Sequence, residues 1–97
     1  MEKLYFVIKL IPPRPTFVQD MSQEEHAIMM QHIAYWEPHI KSGTMVVTGP
    51  VLDPKGGYGL GIVRIDSEDQ LKQLIAEDPA VGLNSCEYYP MMATTIY

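Results

Sequence analysis

The chain opens on a run of apolar residues that is typical of a β-strand. Between Leu4 and Ile11 most residues are β-branched or aromatic, and apolar side chains occupy both parities of the run. Both faces of this strand are therefore predicted to be buried. Proline lacks the amide donor that a sheet ladder needs, so we expect the strand to stop at Pro12. The segment 12–20 is then predicted to be a fixed, extended loop.

A long helix is predicted to follow this loop. Ser22 and Glu25 have the spacing of a capping box, in which each side chain accepts a hydrogen bond from the backbone amide of the other residue. Apolar residues then recur at steps of three and four, which is the period of one helix face. We expect this helix to run to Ser42, with a kink at Pro38 and a left-handed end at Gly43.

The second half of the chain is predicted to contain two strands, a helix and a final strand. β-Branched runs mark the strands, Gly and Pro mark the turn between the first two, and a second capping box begins the helix. The predicted elements are strand two over 44–48, a long turn through 49–50 and 53–57, strand three over 59–66, a helix from Ser67 to about Glu77, and strand four over 87–97.

The order β-α-β-β-α-β is that of the ferredoxin-like α+β fold, in which a four-stranded antiparallel sheet carries two helices on one face. A chain of 97 residues is the size of one domain, so residues 1–97 are predicted to form a single unit. The helices would cover only one face of the sheet. Because the strands are apolar on both faces, we expect a homodimer that packs sheet against sheet.

Composition and charge narrow the classes of partner. The chain is 46% hydrophobic and 20% charged, as ordinary globular proteins are, and its formal net charge is -5. An acidic surface repels nucleic acid and anionic lipid, and no apolar run approaches the ~20 residues of a membrane span. Neither nucleic acid nor a membrane is therefore expected as a partner. The single cysteine, Cys86, cannot form an internal disulfide, so a reducing cytoplasm is the predicted compartment.

His32 is the residue best suited to chemistry. It lies within one helical turn of Met29, Tyr35 and Trp36, on the face predicted to pack against the sheet. It is either a core histidine with satisfied hydrogen bonds or a general acid/base whose ring is oriented by a carboxylate. Asp78 is the candidate carboxylate. The helix dipole disfavours a negative charge at a helix C-terminus, so Asp78 gains from a cation or a histidine donor nearby.

The other polar residues give weaker signals. Arg14 lies in a proline-stiffened loop, where it is either an ordinary exposed arginine or one held ready to pair with an anion. Tyr58 follows a glycine-rich turn and is a candidate pocket residue. His32 and His39 are ~10 Å apart along the helix axis, too far to share a zinc ion, so no metal site is expected. No dinucleotide fingerprint is present, and no cofactor is expected.

Several short motifs, taken in their order and spacing, resemble the YciI-like (YCII-related) family. They are His32, Gly43 eleven positions later, Val46–Pro50, the Asp-Pro segment Ala76–Val81, Tyr89–Met91 in the final strand, and two loops, Pro13–Phe17 and Asp53–Gly59. The resemblance implies a dimeric α+β barrel, which agrees with the order of elements above. It also implies a His-Asp site, which carries over to His32 and Asp78.

The resemblance further implies a class of activity without fixing a reaction. Some members of that family resemble lyases or dehydrohalogenases that act on small hydroxylated aromatics, others have no known activity, and a fold alone does not determine a reaction. Our first hypothesis is a cofactor-free enzyme that acts on a small organic acid or a hydroxylated ring. Six residues have roles in it: His32 transfers the proton, Asp78 orients the imidazole, Arg14 pairs with an anionic substrate group, and Tyr35, Trp36 and Tyr58 wall the pocket. The alternatives are a dimer that binds a small ligand, for regulation or capture, without turning it over, and a purely structural dimer.

Overall fold

The fold is described by a computed structural model over residues 2–95. Over this range the secondary-structure elements are β1 Leu4–Ile11, α1 Phe17–Asp20, α2 Gln23–Lys41, β2 Met45–Val51, β3 Tyr58–Ile65, α3 Glu68–Ala76 and β4 Ser85–Met91. The strands form one antiparallel sheet in the order β2-β3-β1-β4. The predicted α+β fold is confirmed, with the short helix α1 as an addition to the ferredoxin-like order.

The ends of α2 form as the sequence predicts. The Glu25 amide donates to Ser22 Oγ at 3.1 Å, and the Ser22 amide donates to the Glu25 carboxylate at 2.9 Å. Gly43 has a φ of +85°, the left-handed conformation that commonly ends a helix. The helix is continuous through Pro38. These local signals fix where α2 begins and ends, and therefore which of its residues face the sheet.

Two local predictions are wrong. The segment 12–20 is not a purely extended loop, because its last four residues form α1, which buries Phe17 to 3% exposure. Burial of this aromatic ring favours a compact turn over an extended chain. The second capping box is only half formed. Ser67 caps the amide of Gln70, but the Gln70 side chain accepts from the Asp66 amide and not from that of Ser67.

Two strand boundaries also differ from the prediction. β2 continues through residues 49–50, which the sequence predicts as a turn, because β2 is an edge strand and an edge tolerates a residue without an amide donor. β4 covers only residues 85–91, so the predicted strand is wrong over 92–95, and residues 96–97 lie outside the described range. β1 begins at Leu4, so the chain beyond residue 92 has no neighbouring strand to pair with.

Helices α2 and α3 cover one face of the sheet, and the hydrophobic core lies between these two layers. Its buried residues are Phe6, Ile8, Trp36, Met45, Val63, Ile65, Leu71 and Leu74. Alternate residues of β1, such as Tyr5 and Val7, point to the helix-free face and are half-buried. The homodimer that this apolar face suggests stays a prediction. Among residues 2–95, no helix is long and apolar enough to cross a membrane.

Candidate functional site

A cavity of about 520 Å³ lies between α2 and the helix-covered face of the sheet. Its walls also include the loop after β1 and the connection between α3 and β4. The lining is mostly apolar, and it includes Ile8, Leu10, Phe17, Met21, Met29, Ile33, Trp36, Ile40 and Met45, with His32, Thr48, Asp78, Asn84 and Cys86 as polar members. An apolar cavity with a few convergent polar groups is typical of a small-molecule site.

The structure brings His32 and Asp78 together in this cavity. His32 Nδ1 lies 2.9 Å and 2.8 Å from the two carboxylate oxygens of Asp78. The Asp78 side chain is 5% exposed and that of His32 is 20% exposed. An ionised carboxylate can only accept, so Nδ1 carries the hydrogen and the neutral ring keeps its lone pair on Nε2. Within the described part of the chain Nε2 has no hydrogen-bond partner, so it is the ring nitrogen that a ligand can meet.

Asp78 is held by two further donors besides His32. The indole N–H of Trp36 donates to it at 2.7 Å, and the Ala80 amide donates to it at 2.9 Å. Burial raises the pKa of Asp78, but the hydrogen bonds from His32, Ala80 and Trp36 together lower the pKa by more than burial raises it. The pKa of Asp78 therefore lies below its ordinary value. The carboxylate is therefore ionised at neutral pH. It stabilises positive charge on the imidazole whenever His32 takes up a proton.

The local sequence explains this geometry. His32 and Trp36 are four residues apart on α2, so both side chains project from one face of the helix toward Asp78. Asp78 follows the end of α3, where Pro79 prevents the helix from continuing. Its carboxylate then caps the Ala80 amide in a tight turn. The sequence predicts Trp36 as a pocket wall, and the structure shows that it is also a hydrogen-bond donor to the carboxylate.

Tyr35 and Tyr58 occupy less central positions than the first hypothesis gives them. The Tyr35 hydroxyl donates to the Leu74 carbonyl at 2.6 Å, which links α2 to α3 outside the cavity lining. Burial and the charges of Glu77 and Asp78 raise the pKa of Tyr35 to about 12. Tyr58 borders the cavity, but its ring lies 4.6 Å from the Lys9 ammonium. Strand alternation places that contact on the helix-free side of the sheet.

Arg14 is committed to carboxylates of its own chain. Its guanidinium donates to Asp20 at 2.7 Å and to both carboxylate oxygens of Glu25 at 2.8 Å and 2.9 Å. The hydrogen bond from Arg14 is the main cause that lowers the pKa of Glu25 to about 2. Arg14 lies outside the cavity, and within the described part of the chain no lysine or arginine lines it. Arg14 therefore ties the loop after β1 to the start of α2.

Three polar lining residues were not foreseen. Thr48 Oγ1 donates to the Leu60 carbonyl at 3.0 Å, and Asn84 Nδ2 donates to the Ala80 carbonyl at 3.0 Å. Burial raises the pKa of Cys86, so its thiol stays protonated. Cys86 and Tyr88 are two residues apart on β4, so both side chains point to the helix-covered face of the sheet. The strand predicted from the sequence begins at residue 87, so it does not include Cys86. No three His, Cys, Asp or Glu side chains of the described range cluster to hold a metal ion.

Comparisons with known proteins assign this chain to a family. A search of curated proteins finds no match. One similar solved structure is the 5-chloro-2-hydroxyhydroquinone dehydrochlorinase from Burkholderia phenoliruptrix AC1100 in complex with 2,5-dihydroxybenzoquinone. It has a TM-score of 0.67 and 23% sequence identity, over 88% of this chain and 90% of that chain. The family model described as the YCII-related domain matches residues 5–95. The chain therefore belongs to the YCII-related family.

Proposed function

We propose that this protein is a cofactor-free acid/base enzyme of lyase or dehydrohalogenase type that acts on a small hydroxylated ring. One observation carries the proposal: His32 lines an apolar cavity, its Nε2 has no partner among residues 2–95, and its Nδ1 is fixed by a buried, ionised Asp78. This arrangement sets one tautomer and leaves one basic nitrogen for a ligand. The dehydrochlorinase with the same fold supports the class of reaction.

The chemistry needs proton transfers and the departure of a halide. Nε2 accepts the proton of a ring hydroxyl, and the charge on the oxygen moves into the ring. The imidazolium, stabilised by Asp78, returns this proton to the ring carbon that carries the halide. Nε2 then accepts the proton of a second ring hydroxyl as the carbon–halide bond breaks, the halide leaves with the bonding electron pair, and the ring becomes a quinone. The net change is loss of HX, and the reaction needs no external oxidant or reductant. His32 and Asp78 are thus the proposed catalytic residues, and Trp36 is a positioning residue.

The charges of the lining favour a substrate that enters uncharged. The Arg14 guanidinium, the expected anion partner, is bonded to Asp20 and Glu25 instead. The ionised Asp78 carboxylate already lies at the cavity wall, so an entering carboxylate would add a second negative charge in an apolar space. A weakly acidic hydroxyl avoids this cost, because its negative charge forms only as His32 becomes positive.

We propose that the protein works as a homodimer in the cytoplasm. Val47 and Tyr89 lie on the helix-free face of the sheet and are 56% and 54% exposed. Covering this face with a second copy would remove apolar surface from water. A cytoplasmic location is proposed because the single cysteine needs no oxidising compartment. Sedimentation of the full chain tests the dimer, and a monomer at micromolar concentration would contradict it.

The experiment that tests the activity uses chlorinated hydroxyhydroquinones and measures chloride release and ring absorbance. We expect turnover by the wild-type chain and a loss of about 10²–10⁴-fold in His32→Gln, the usual contribution of a general acid/base. Thermal unfolding of the same variant shows whether it is folded. A folded His32→Gln protein with unchanged turnover would overturn the role of His32.

A non-catalytic ligand-binding dimer is the second candidate. It is favoured by Thr48 and Asn84, whose side-chain donors are bonded to acceptors of this chain and so are not free to assist a reaction. This candidate predicts that hydroxylated rings bind with measurable heat but release no product. The two candidates separate in one experiment, in which binding and turnover are measured on the same preparation.

A further inference from the structure

Two glycines face the cavity from one strand of the sheet. The register pairs Gly59 with Leu10 and Gly61 with Ile8, so both glycines point to the helix-covered face of β3. The left-handed glycines of the described range are at positions 43, 56 and 82, so backbone conformation does not demand glycine at either position. The reason for glycine at these two positions therefore lies in the space above them.

The side chains beside these glycines lie close along the sheet. A Cβ at Gly61 would come within 2.9 Å of Met45 Cε and 3.3 Å of its sulfur, and a Cβ at Gly59 would come within 3.3 Å of Leu10 Cβ. Met45 and Leu10 are both buried lining residues of the cavity. An added methyl group would push the flexible end of Met45 away from the sheet and toward α2. Glycine at these two positions thus lets Met45 and Leu10 lie close to the sheet, which leaves more space between the sheet and α2.

The depth of this space follows from ordinary packing. A helix packed on a sheet normally fills the interface with side chains from both layers, at the density of an organic crystal. Two positions of β3 contribute no side chain, while the roof on α2 keeps the large side chains of Trp36 and Met29. Met45 and Leu10 lie beside the two glycines, and a cavity of about 520 Å³ remains between this floor and the roof on α2. A flat ring, which makes van der Waals contacts at ~3.5–4.0 Å on each face, fits such a gap.

We propose that Gly59 and Gly61 form the floor of a slot that selects flat, six-membered carbocycles over saturated rings of similar volume. The proposal deepens the function proposed above and rests on it for the ligand's hydroxyl, which His32 Nε2 would meet at the roof. The shape selection itself involves no proton transfer, so it is measured separately from turnover.

The first test uses the wild-type chain and two pairs of ligands. Toluene and methylcyclohexane have the same carbon skeleton and neither is acidic, so the comparison tests the flatness of the ring. Phenol and cyclohexanol add the hydroxyl. Binding is followed by the NMR signal of the Trp36 indole N–H, which lies at the cavity wall. We expect each flat ligand to bind about tenfold more tightly than its saturated counterpart, or better. Equal affinities for toluene and methylcyclohexane would overturn the slot.

The second test uses Gly59→Ala and Gly61→Ala, with Gly49→Ala as the matched control. Gly49 is also a strand glycine and its backbone borders the cavity, but its register directs its Cβ to the helix-free face, where it would meet nothing within 4 Å. We expect each floor variant to lose about 10–200-fold in affinity for 2-naphthol, the cost of about one methyl group in a tight apolar pocket. The control should bind as wild type does.

The outcomes separate the two proposals. If flat rings bind more tightly than saturated rings but no product forms, the slot is supported and the proposed enzymatic activity is refuted. Product formation with equal binding of flat and saturated rings refutes the slot and leaves the enzyme standing. Wild-type affinity for 2-naphthol in folded Gly59→Ala and Gly61→Ala also refutes the slot. If these variants do not fold, the toluene and methylcyclohexane comparison on the wild-type chain decides.

Discussion

Replacing Asp78 with asparagine tests the hydrogen-bonded carboxylate on which the candidate site depends. Three donors converge on this side chain: His32 Nδ1, the Trp36 indole and the Ala80 amide. Asparagine keeps one oxygen acceptor but turns an NH₂ group toward the remaining donors. At least one buried donor then loses its partner, at about 1–3 kcal/mol, and the others lose the benefit of a charged acceptor. We expect the free energy of unfolding to fall by about 3 kcal/mol at pH 7.

The pH dependence gives the sharper form of this prediction. The hydrogen bonds hold the folded pKa of Asp78 below its ordinary value of 3.8. A carboxyl with a depressed folded pKa adds stability that is complete above the unfolded pKa and is lost as the pH falls through the folded pKa. The stability difference between wild type and Asp78→Asn should therefore be constant from about pH 7 to pH 5 and narrow below about pH 4.

Urea unfolding at several pH values measures both quantities. Trp36 is the single tryptophan of the chain and is bonded to Asp78, so its fluorescence reports on this site during unfolding. Asp66→Asn is the matched control, since Asp66 is an exposed aspartate paired with Lys3 and its loss should change the stability little. A difference of less than about 0.5 kcal/mol for Asp78→Asn at pH 7, or one that stays the same at pH 2.5, would refute the reasoning.

Three other substitutions test the supports around the site. Tyr35→Phe removes the bond to the Leu74 carbonyl and should lower the free energy of unfolding by about 0.5–1.5 kcal/mol while leaving ligand affinity unchanged; a change in affinity would place Tyr35 in the site. Phe17→Ala removes a ring that is 3% exposed, so it should cost about 3–5 kcal/mol in urea unfolding and weaken ring binding, and a cost near zero would contradict its role as a wall. Arg14→Gln should lower the thermal midpoint by an amount that shrinks in 1 M NaCl, because ion pairs at the surface are screened; a difference unaffected by salt would argue against the ion pairs.

The sequence predicted best what local signals control. The capping box of Ser22 and Glu25 and the glycine stop at Gly43 involve contacts within a few residues, and both features form as expected. The boundaries of β2 and β4 depend on which strand lies alongside. A Gly-Pro pair is a turn in most contexts but is accepted at an open sheet edge, and β4 ends alongside the residues at which β1 begins. Such boundaries follow from tertiary pairing, which a linear pattern does not show.

The site was foreseen in part for the same reason. His32 and Asp78 are found from the helix face and the helix end, two features of single elements. The bond from Trp36 to Asp78 joins residues 42 positions apart, and its direction depends on how α2 crosses the end of α3. The proline-stiffened loop makes Arg14 a candidate partner for an anion, and the sequence assigns Glu25 to the capping box alone. The Glu25 carboxylate accepts hydrogen bonds from both the Ser22 amide and the Arg14 guanidinium, and no sequence spacing reveals this double role.

The open apolar cavity beside the hydrogen-bonded His32–Asp78 pair argues against a purely structural role for this pair. Every buried side-chain polar atom in the described range has a hydrogen-bond partner, so the cavity is not needed to solvate the His32–Asp78 pair. Unfilled apolar volume lowers the stability of a domain. A small domain with a structural histidine would gain from larger apolar side chains in the lining that fill this volume. A space of about 520 Å³ kept open beside an unpartnered imidazole nitrogen is costly unless a ligand fills it, and a ligand that fills it comes into reach of Nε2.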